Sequence, residues 1–224
     1  MPPRVILIRH GQALHNPALT PKGEAQCKQL ALDIQTKYDF PKEETLVVVS
    51  PLRRTLQSYH HGLSWLAEQG IRVELRAEWQ TKKTDAAGRP SGNLQETTAN
   101  PCDVGSEIEV ISKEWPQLDF SQLDPVYPAK TGLYDAAQES LLHRARVARE
   151  WLFHRPEKYV IVMTHSGFIR RVVPNCRKYA NAEYRLYDFA TDEGEAEGDD
   201  ASQFRLIERE AVHQSLETQQ PSIK

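Results

Sequence analysis

The chain has 224 residues, long enough to bury a sizeable core. Its 28 Lys and Arg stand against 31 Asp and Glu, a formal charge of −3, and 39% of its residues are hydrophobic. This balance excludes a global attraction to nucleic acid or to an anionic membrane, so any anion-binding role must come from a local cluster of Arg, Lys and His.

In chain order, "MPPRVILIRHG" enters a strand almost at once, Val5 to Ile8, and its apolar run is too short for a secretory leader or a membrane span. "LTPKGEAQCKQLALDIQTKY" predicts a helix capped by Thr20 with Pro21 at its first position and Ala25, Cys27, Leu30 and Ile34 on its buried face. "TLVVVS" (45–50) reads as a second buried strand, and "LRRTLQSYHHGLSWLAEQG" as a helix stopped by Gly70. "IRVELR" (71–76) reads as a third strand. From about 79 to 132 the periodicity fails, and a loop-rich insertion of that length points to a lid or a substrate-facing segment.

Order returns with "QESLLHRARVAREWLFHRP", where Leu141, Leu142, Ala145, Ala148, Trp151 and Leu152 share one helical stripe. "YVIVMTHSGFIRRVV" is strand, turn and helix. Tyr184 to Phe189 alternates like a half-buried strand, and after the solvated acidic run 192–200 "QFRLIER" closes a hairpin. The pattern predicts one α/β domain over residues 1–212, a mainly parallel sheet with helices on both faces, followed by a frayed tail, 213–224. Cys27, Cys102 and Cys176 are odd in number and lack CxxC spacing, as expected of reduced thiols in a cytoplasmic protein rather than of a disulfide frame or zinc site.

Ligands of such sheets bind beyond the carboxyl ends of the strands. Three strand ends here are charged: "VILI-RHG" supplies Arg9 and His10, "VVVS-PLRR" Arg53 and Arg54, and "VIVMT-HSG", in the region of a fifth strand, His165. Guanidinium forks match tetrahedral oxyanions, so a phosphoryl group is the natural guest. Two imidazoles add chemistry: one can attack phosphorus in line while the other donates to the equatorial oxygens, and water then hydrolyses the phosphohistidine. Arginines supply the charge stabilisation, so no metal or other cofactor is expected.

"LIRHGQALHN", "LTPKGEAQ", "SPLRRTLQS" and "VMTHSGFIR" together resemble the histidine phosphatase superfamily, the phosphoglycerate mutase-like proteins with an RHG motif. They occur in that family's order over residues 5 to 173. The resemblance implies a three-layer α/β sandwich with the nucleophile at His10 and the first phosphate clamp at Arg9. It also implies a polar pocket residue at Asn16, the second clamp at Arg54 and a transition-state-stabilising histidine at His165, with Arg53 on the flank. For the proton donor the family's Leu-x-Glu pattern falls on Glu96, in "NLQETTANPCDVGS", a stretch that resembles a fungal-type subgroup. Asp103, Glu107 and Glu78 remain open.

Only Pro17 and Ala18 separate Asn16 from the Leu-Thr of the first helix, where the resembled family's cofactor-dependent mutases have a longer segment, a departure that argues against a glycolytic mutase. Ala13 stands where many members have Ser or Thr. The reading is a metal-independent phosphatase acting on a small phosphorylated molecule, with no nucleic-acid or membrane partner. Two alternatives are a site redirected to phosphate-free isomerase or lyase chemistry, and a silent phosphoester-binding protein. His60, His61, His143, His154 and His213 read as solvated or packed, and Trp65 and Trp151 as core.

Overall fold

Every residue from Val5 to Ile8 is wholly buried, as a strand covered on both faces requires. They lie in β1 (Arg4–Arg9) of a computed structural model that describes residues 1–13, 18–81, 105–135, 137–190 and 204–212. With β2 (Thr45–Val49), β3 (Arg72–Leu75), β4 (Tyr159–Thr164), β5 (Tyr184–Phe189) and β6 (Leu206–Val212) it forms a six-stranded sheet in the order β3-β2-β4-β1-β5-β6. The first four run parallel; β5 and β6 are antiparallel additions at one side.

The pleat sorts the strand residues onto two cores. Ile6, Ile8, Val47, Val49, Ile161 and Met163 face a core built by α1 (Pro21–Lys37), α2 (Arg53–Gly62), α3 (Ser64–Glu68) and α4 (Ile108–Glu114). Val5, Leu7, Leu46, Val48, Val160 and Val162 face the other, built by α5 (Gln138–Phe153) and α6 (Ser166–Val172). The α/β sandwich with helices on both faces is therefore as the alternation of elements implies.

Local departures have local causes. The Thr20 hydroxyl accepts from the Gly23 amide at 3.0 Å and Pro21 opens α1, as expected. The buried stripe of α1, however, is Gly23, Cys27, Leu30 and Ile34, and Ala25 is exposed. Gly23 takes the inner place because a Cβ there would sit 2.1 Å from the Gln12 carbonyl oxygen. The expected helix up to Gly70 breaks at Leu63, whose non-helical backbone (φ −135°, ψ −3°) ends α2 and starts α3. Gly70, at φ +84°, does end the second piece. On α5, Leu142 is exposed and Arg144 and Arg149 are buried instead. Arg149 Nη1 donates to the carbonyls of Arg171 and Val172, at the end of α6, at 3.4 Å each. Trp151 and Trp65 are half-buried at core edges, and the guanidinium groups of Arg76 and Arg155 lie over the Trp151 ring, 4.1 and 4.8 Å from its centre.

Within the insertion, 79–132, the described residues hold α4 and turns. His165 follows the fourth strand rather than a fifth, because no strand lies between β3 and β4 among the described residues. The tail 213–224 and the acidic run 192–200 lie outside the described residues.

Candidate active site

β4 lies between β1 and β2, so the three charged strand ends are neighbours. β1 and β2 lead into helices on one face, and β4 leads into α6 on the other. Chains that part toward opposite faces open a crevice at the carboxyl edge of the sheet.

The backbone there is held tightly. The His10 amide donates to the Thr164 carbonyl (2.9 Å), its own carbonyl accepts from Ala182 (3.1 Å), and the Arg9 amide donates to the Glu183 carbonyl (3.0 Å). Gly11 lets this strand end approach α1: a Cβ there would stand 2.6 Å from the Gly23 carbonyl oxygen, and the Gly11 amide donates to Ser58 Oγ at 3.0 Å. Ser58 in turn donates to the Arg54 carbonyl at 2.7 Å. The "SPLRRTLQS" segment therefore braces the turn after β1 as well as supplying Arg54.

The imidazoles of His10 and His165 face one another, ring centres 5.1 Å apart and 59° between planes. His10 Nδ1 lies 2.7 Å from the Gly11 carbonyl oxygen. A carbonyl can only accept, so Nδ1 carries the proton and Nε2 carries the lone pair. Arg54 Nε donates to His165 Nδ1 at 3.3 Å, and His165 Nε2 lies 2.9 Å from Ser50 Oγ. His165 therefore has the opposite tautomer, protonated at Nε2 and donating to Ser50. Arg9 Nη1 donates to the Tyr179 carbonyl at 2.6 Å.

Electrostatics keep both rings neutral. Burial, then Arg54, then Arg9 hold His10 well below the usual imidazole range. Burial, Arg54, His10, Lys130 and Arg9, in that order, do the same to His165. Arg9 is itself lowered by burial and by Arg54, partly offset by Glu183. Among the described residues Glu183 offsets the charge on Arg9 and no carboxylate acts on either histidine, so the field between the rings is positive and suits an anion.

The structure thus brings together Arg9, His10, Arg54 and His165. Arg53 points away: neighbours on a helix diverge by about 100°, and its Nε binds Glu114 Oε2 at 3.0 Å near the surface. Asn16, Glu96 and Asp103 lie outside the described residues. Of the other carboxylates, Glu107 is exposed at the start of α4, and Glu78 accepts from Arg76 Nη2 at 2.5 Å. Ser50 and Lys130 carry no role in the sequence reading. Ser50's signal was its place at the end of β2, as the first residue of the arginine motif. Lys130 has no such signal: only tertiary folding sets it against Gln80 and Thr81, from where its charge adds to the field on His165. Among the described residues no group of three or more His, Cys, Asp or Glu could hold a metal ion, and no helix is long and apolar enough to cross a membrane.

The neutral histidines make stability acid-sensitive. Above an ordinary imidazole pKa of about 6.5, both rings are neutral in folded and unfolded chains alike. Below it the unfolded chain takes up protons that the folded site refuses. Folding stability is therefore expected to fall with pH from about 6.5 down to the folded-state values, by up to about 1.4 kcal/mol per pH unit for each histidine. Urea unfolding at pH 7 and pH 5 measures this, and a stability that is flat or rises over that interval contradicts it.

No family model and no curated protein matches the sequence. Solved structures do match. The product of an open reading frame of Mycobacterium tuberculosis superposes with a TM-score of 0.53 at 18% identity, covering 93% of this chain and 96% of that one, and shows the shared fold. A mutant phosphoserine phosphatase of Entamoeba histolytica in complex with phosphoserine follows, at 0.49 and 16% over 93% and 95% of the two chains. The protein histidine phosphatase SixA complexed with tungstate stands at 0.42 and 11% over 92% and 94%. These last two superpositions are too loose to carry an argument.

Proposed function

We propose that the chain is a metal-independent phosphatase that hydrolyses a small-molecule phosphomonoester through a phosphohistidine at His10. One observation supports this above the others: the Nε2 lone pair of His10 is left unprotonated by the 2.7 Å contact of Nδ1 with Gly11, in a ring kept neutral beside Arg9 and Arg54. A neutral imidazole is the nucleophilic form.

In the first step Nε2 attacks phosphorus in line while Arg9 and Arg54 neutralise the charge that spreads over the equatorial oxygens. His165 faces His10 from β4 and, through its hydrogen bond from Arg54, sets the direction of that guanidinium. A carboxylic acid must protonate the departing alkoxide, and we assign this to Glu96. In the second step the same acid, now a carboxylate, takes a proton from the attacking water, the phosphorus–nitrogen bond breaks, and phosphate leaves. The guanidinium groups supply the charge neutralisation that a divalent ion supplies elsewhere, so chelators are expected to have no effect.

Rapid acid-free quenching during turnover of an aryl phosphate, followed by peptide mass analysis, tests the intermediate. A phosphoryl adduct on the His10 peptide, stable to base and labile to acid, is the expected result. Steady hydrolysis with no adduct at any quench time contradicts the mechanism.

A further inference from the structure

We infer that Glu183 and Arg185 are positioning residues that act through Arg9: they fix the loop whose Tyr179 carbonyl sets the direction of that guanidinium. The inference rests on the phosphatase reading for the part Arg9 plays as a phosphoryl clamp, and goes beyond it in naming what holds the clamp.

The loop between α6 and β5 reaches the site through sheet register. Tyr184 opens β5 opposite Ile8, so the residues just before it lie against Arg9 and His10. The Glu183 carbonyl accepts from the Arg9 amide at 3.0 Å, and the Ala182 amide donates to the His10 carbonyl at 3.1 Å. Ala182 does so at φ +57°, a conformation unfavourable for alanine that persists only where its surroundings hold it.

A buried ion pair supplies that hold. Glu183 and Arg185 are both buried, and Glu183 Oε1 accepts from Arg185 Nε at 2.8 Å. The same oxygen meets Arg177 Nη2 at 2.9 Å, and Oε2 accepts from the Ala180 amide at 2.6 Å. Arg185 Nη1 donates to the Arg177 carbonyl at 3.2 Å, and Nη2 to the Lys178 carbonyl at 3.3 Å. Its guanidinium lies 3.9 Å from the centre of the Tyr179 ring, whose hydroxyl is 2.7 Å from that of Tyr187. The pair thus grips the chain at 177, 178 and 180, on both sides of the Tyr179 carbonyl. Apolar side chains could fill the same space without the desolvation cost, so stability alone is a weak reason for such a pair.

Arg9 receives the effect. Its Nη1 is taken by the Tyr179 carbonyl at 2.6 Å, while its Nε is buried without a hydrogen-bond partner. A guanidinium anchored at one nitrogen keeps its planar fork in one orientation, and leaves Nε to an oxyanion rather than to the protein. The Glu183 carboxylate also favours the Arg9 cation, against the burial and the Arg54 charge that oppose it. Geometry and charge therefore both run from the pair to Arg9.

A double-mutant cycle tests the inference, read by calorimetry with inorganic phosphate and by hydrolysis of an aryl phosphate. Glu183→Gln is expected to weaken phosphate binding by about tenfold and to lower kcat/KM by at least about as much. In an Arg9→Met background the same substitution is expected to change either quantity by less than about twofold, because its effect runs through Arg9. Thermal melts establish that each protein is folded at the assay temperature. A pair that served stability alone would give the same factor with and without Arg9, and that additive result overturns the inference. Binding and turnover left unchanged by Glu183→Gln overturn it as well. If that variant does not fold, the joint change Glu183→Met and Arg185→Met takes its place, since apolar residues of similar length often replace a buried pair at little cost to folding. Wild type that binds phosphate but hydrolyses no aryl ester overturns the phosphatase reading alone, and the binding arm of the cycle then decides the positioning. Wild type that does neither overturns both.

Discussion

Replacing His10 with alanine is expected to lower phosphate release from an aryl phosphate by at least about a thousandfold, while the protein remains folded. The expectation of inactivity follows from the proposed nucleophile: no other described imidazole beside the arginines has its lone pair open, because Nδ1 of His165 faces Arg54 and its Nε2 proton faces Ser50. The expectation of a retained fold follows from the backbone. The bonds that hold position 10 run through its amide to Thr164 and its carbonyl from Ala182, and alanine keeps both. The side chain gives up one hydrogen bond, to Gly11, so the loss in stability is expected to stay within about 2 kcal/mol. Turnover assays and thermal melts on the same preparation check the two halves together. If His10 only bound phosphate, the variant would show a raised KM with kcat kept, and that outcome would remove the covalent step from the mechanism.

How far the site was legible in the sequence depended on how each residue reaches it. Arg9, His10 and His165 stand directly at the ends of aliphatic runs, and a sheet of parallel strands delivers such positions to one edge wherever the strands are neighbours. Arg54 was separable from Arg53 by the spacing of its motif, and helix geometry then sends the two side chains apart. Buried faces of helices were less readable. Ala25 and Leu142 suited the apolar stripe, yet Gly23 was needed for backbone contact, and Arg144 and Arg149 were drawn inward by carbonyls and an aromatic ring. Periodicity weighs hydrophobicity and does not see such polar partners. Lys130 and Gln80 come from the aperiodic stretch, where no pattern says which residues meet. Their contacts are 50 residues apart in sequence and exist only in the fold.

Arg54 should carry two effects that a pair of substitutions can separate. It is the leading charge that keeps both His10 and His165 neutral, after burial, and its Nε is the donor to His165 Nδ1. Removing it in Arg54→Ala takes away one of the two guanidinium groups proposed to act at the transition state, with an expected loss of about a hundredfold to a thousandfold in kcat/KM. The same change lets both imidazoles bind protons more readily, so their folded-state values rise. Burial still holds them down, so they rise toward the ordinary imidazole range without reaching it. On the proposed mechanism only neutral His10 attacks phosphorus, so the acidic limb of the kcat/KM profile is expected to move to higher pH. Arg54→Lys restores the positive charge but not the planar fork. Its limb is therefore expected to return toward the wild-type position while the plateau rate stays low. Full pH–rate profiles of the three proteins provide the measurement. A limb that stays in place, or moves to lower pH, when Arg54 becomes alanine would mean that this arginine only holds substrate and does not set the protonation of the nucleophile.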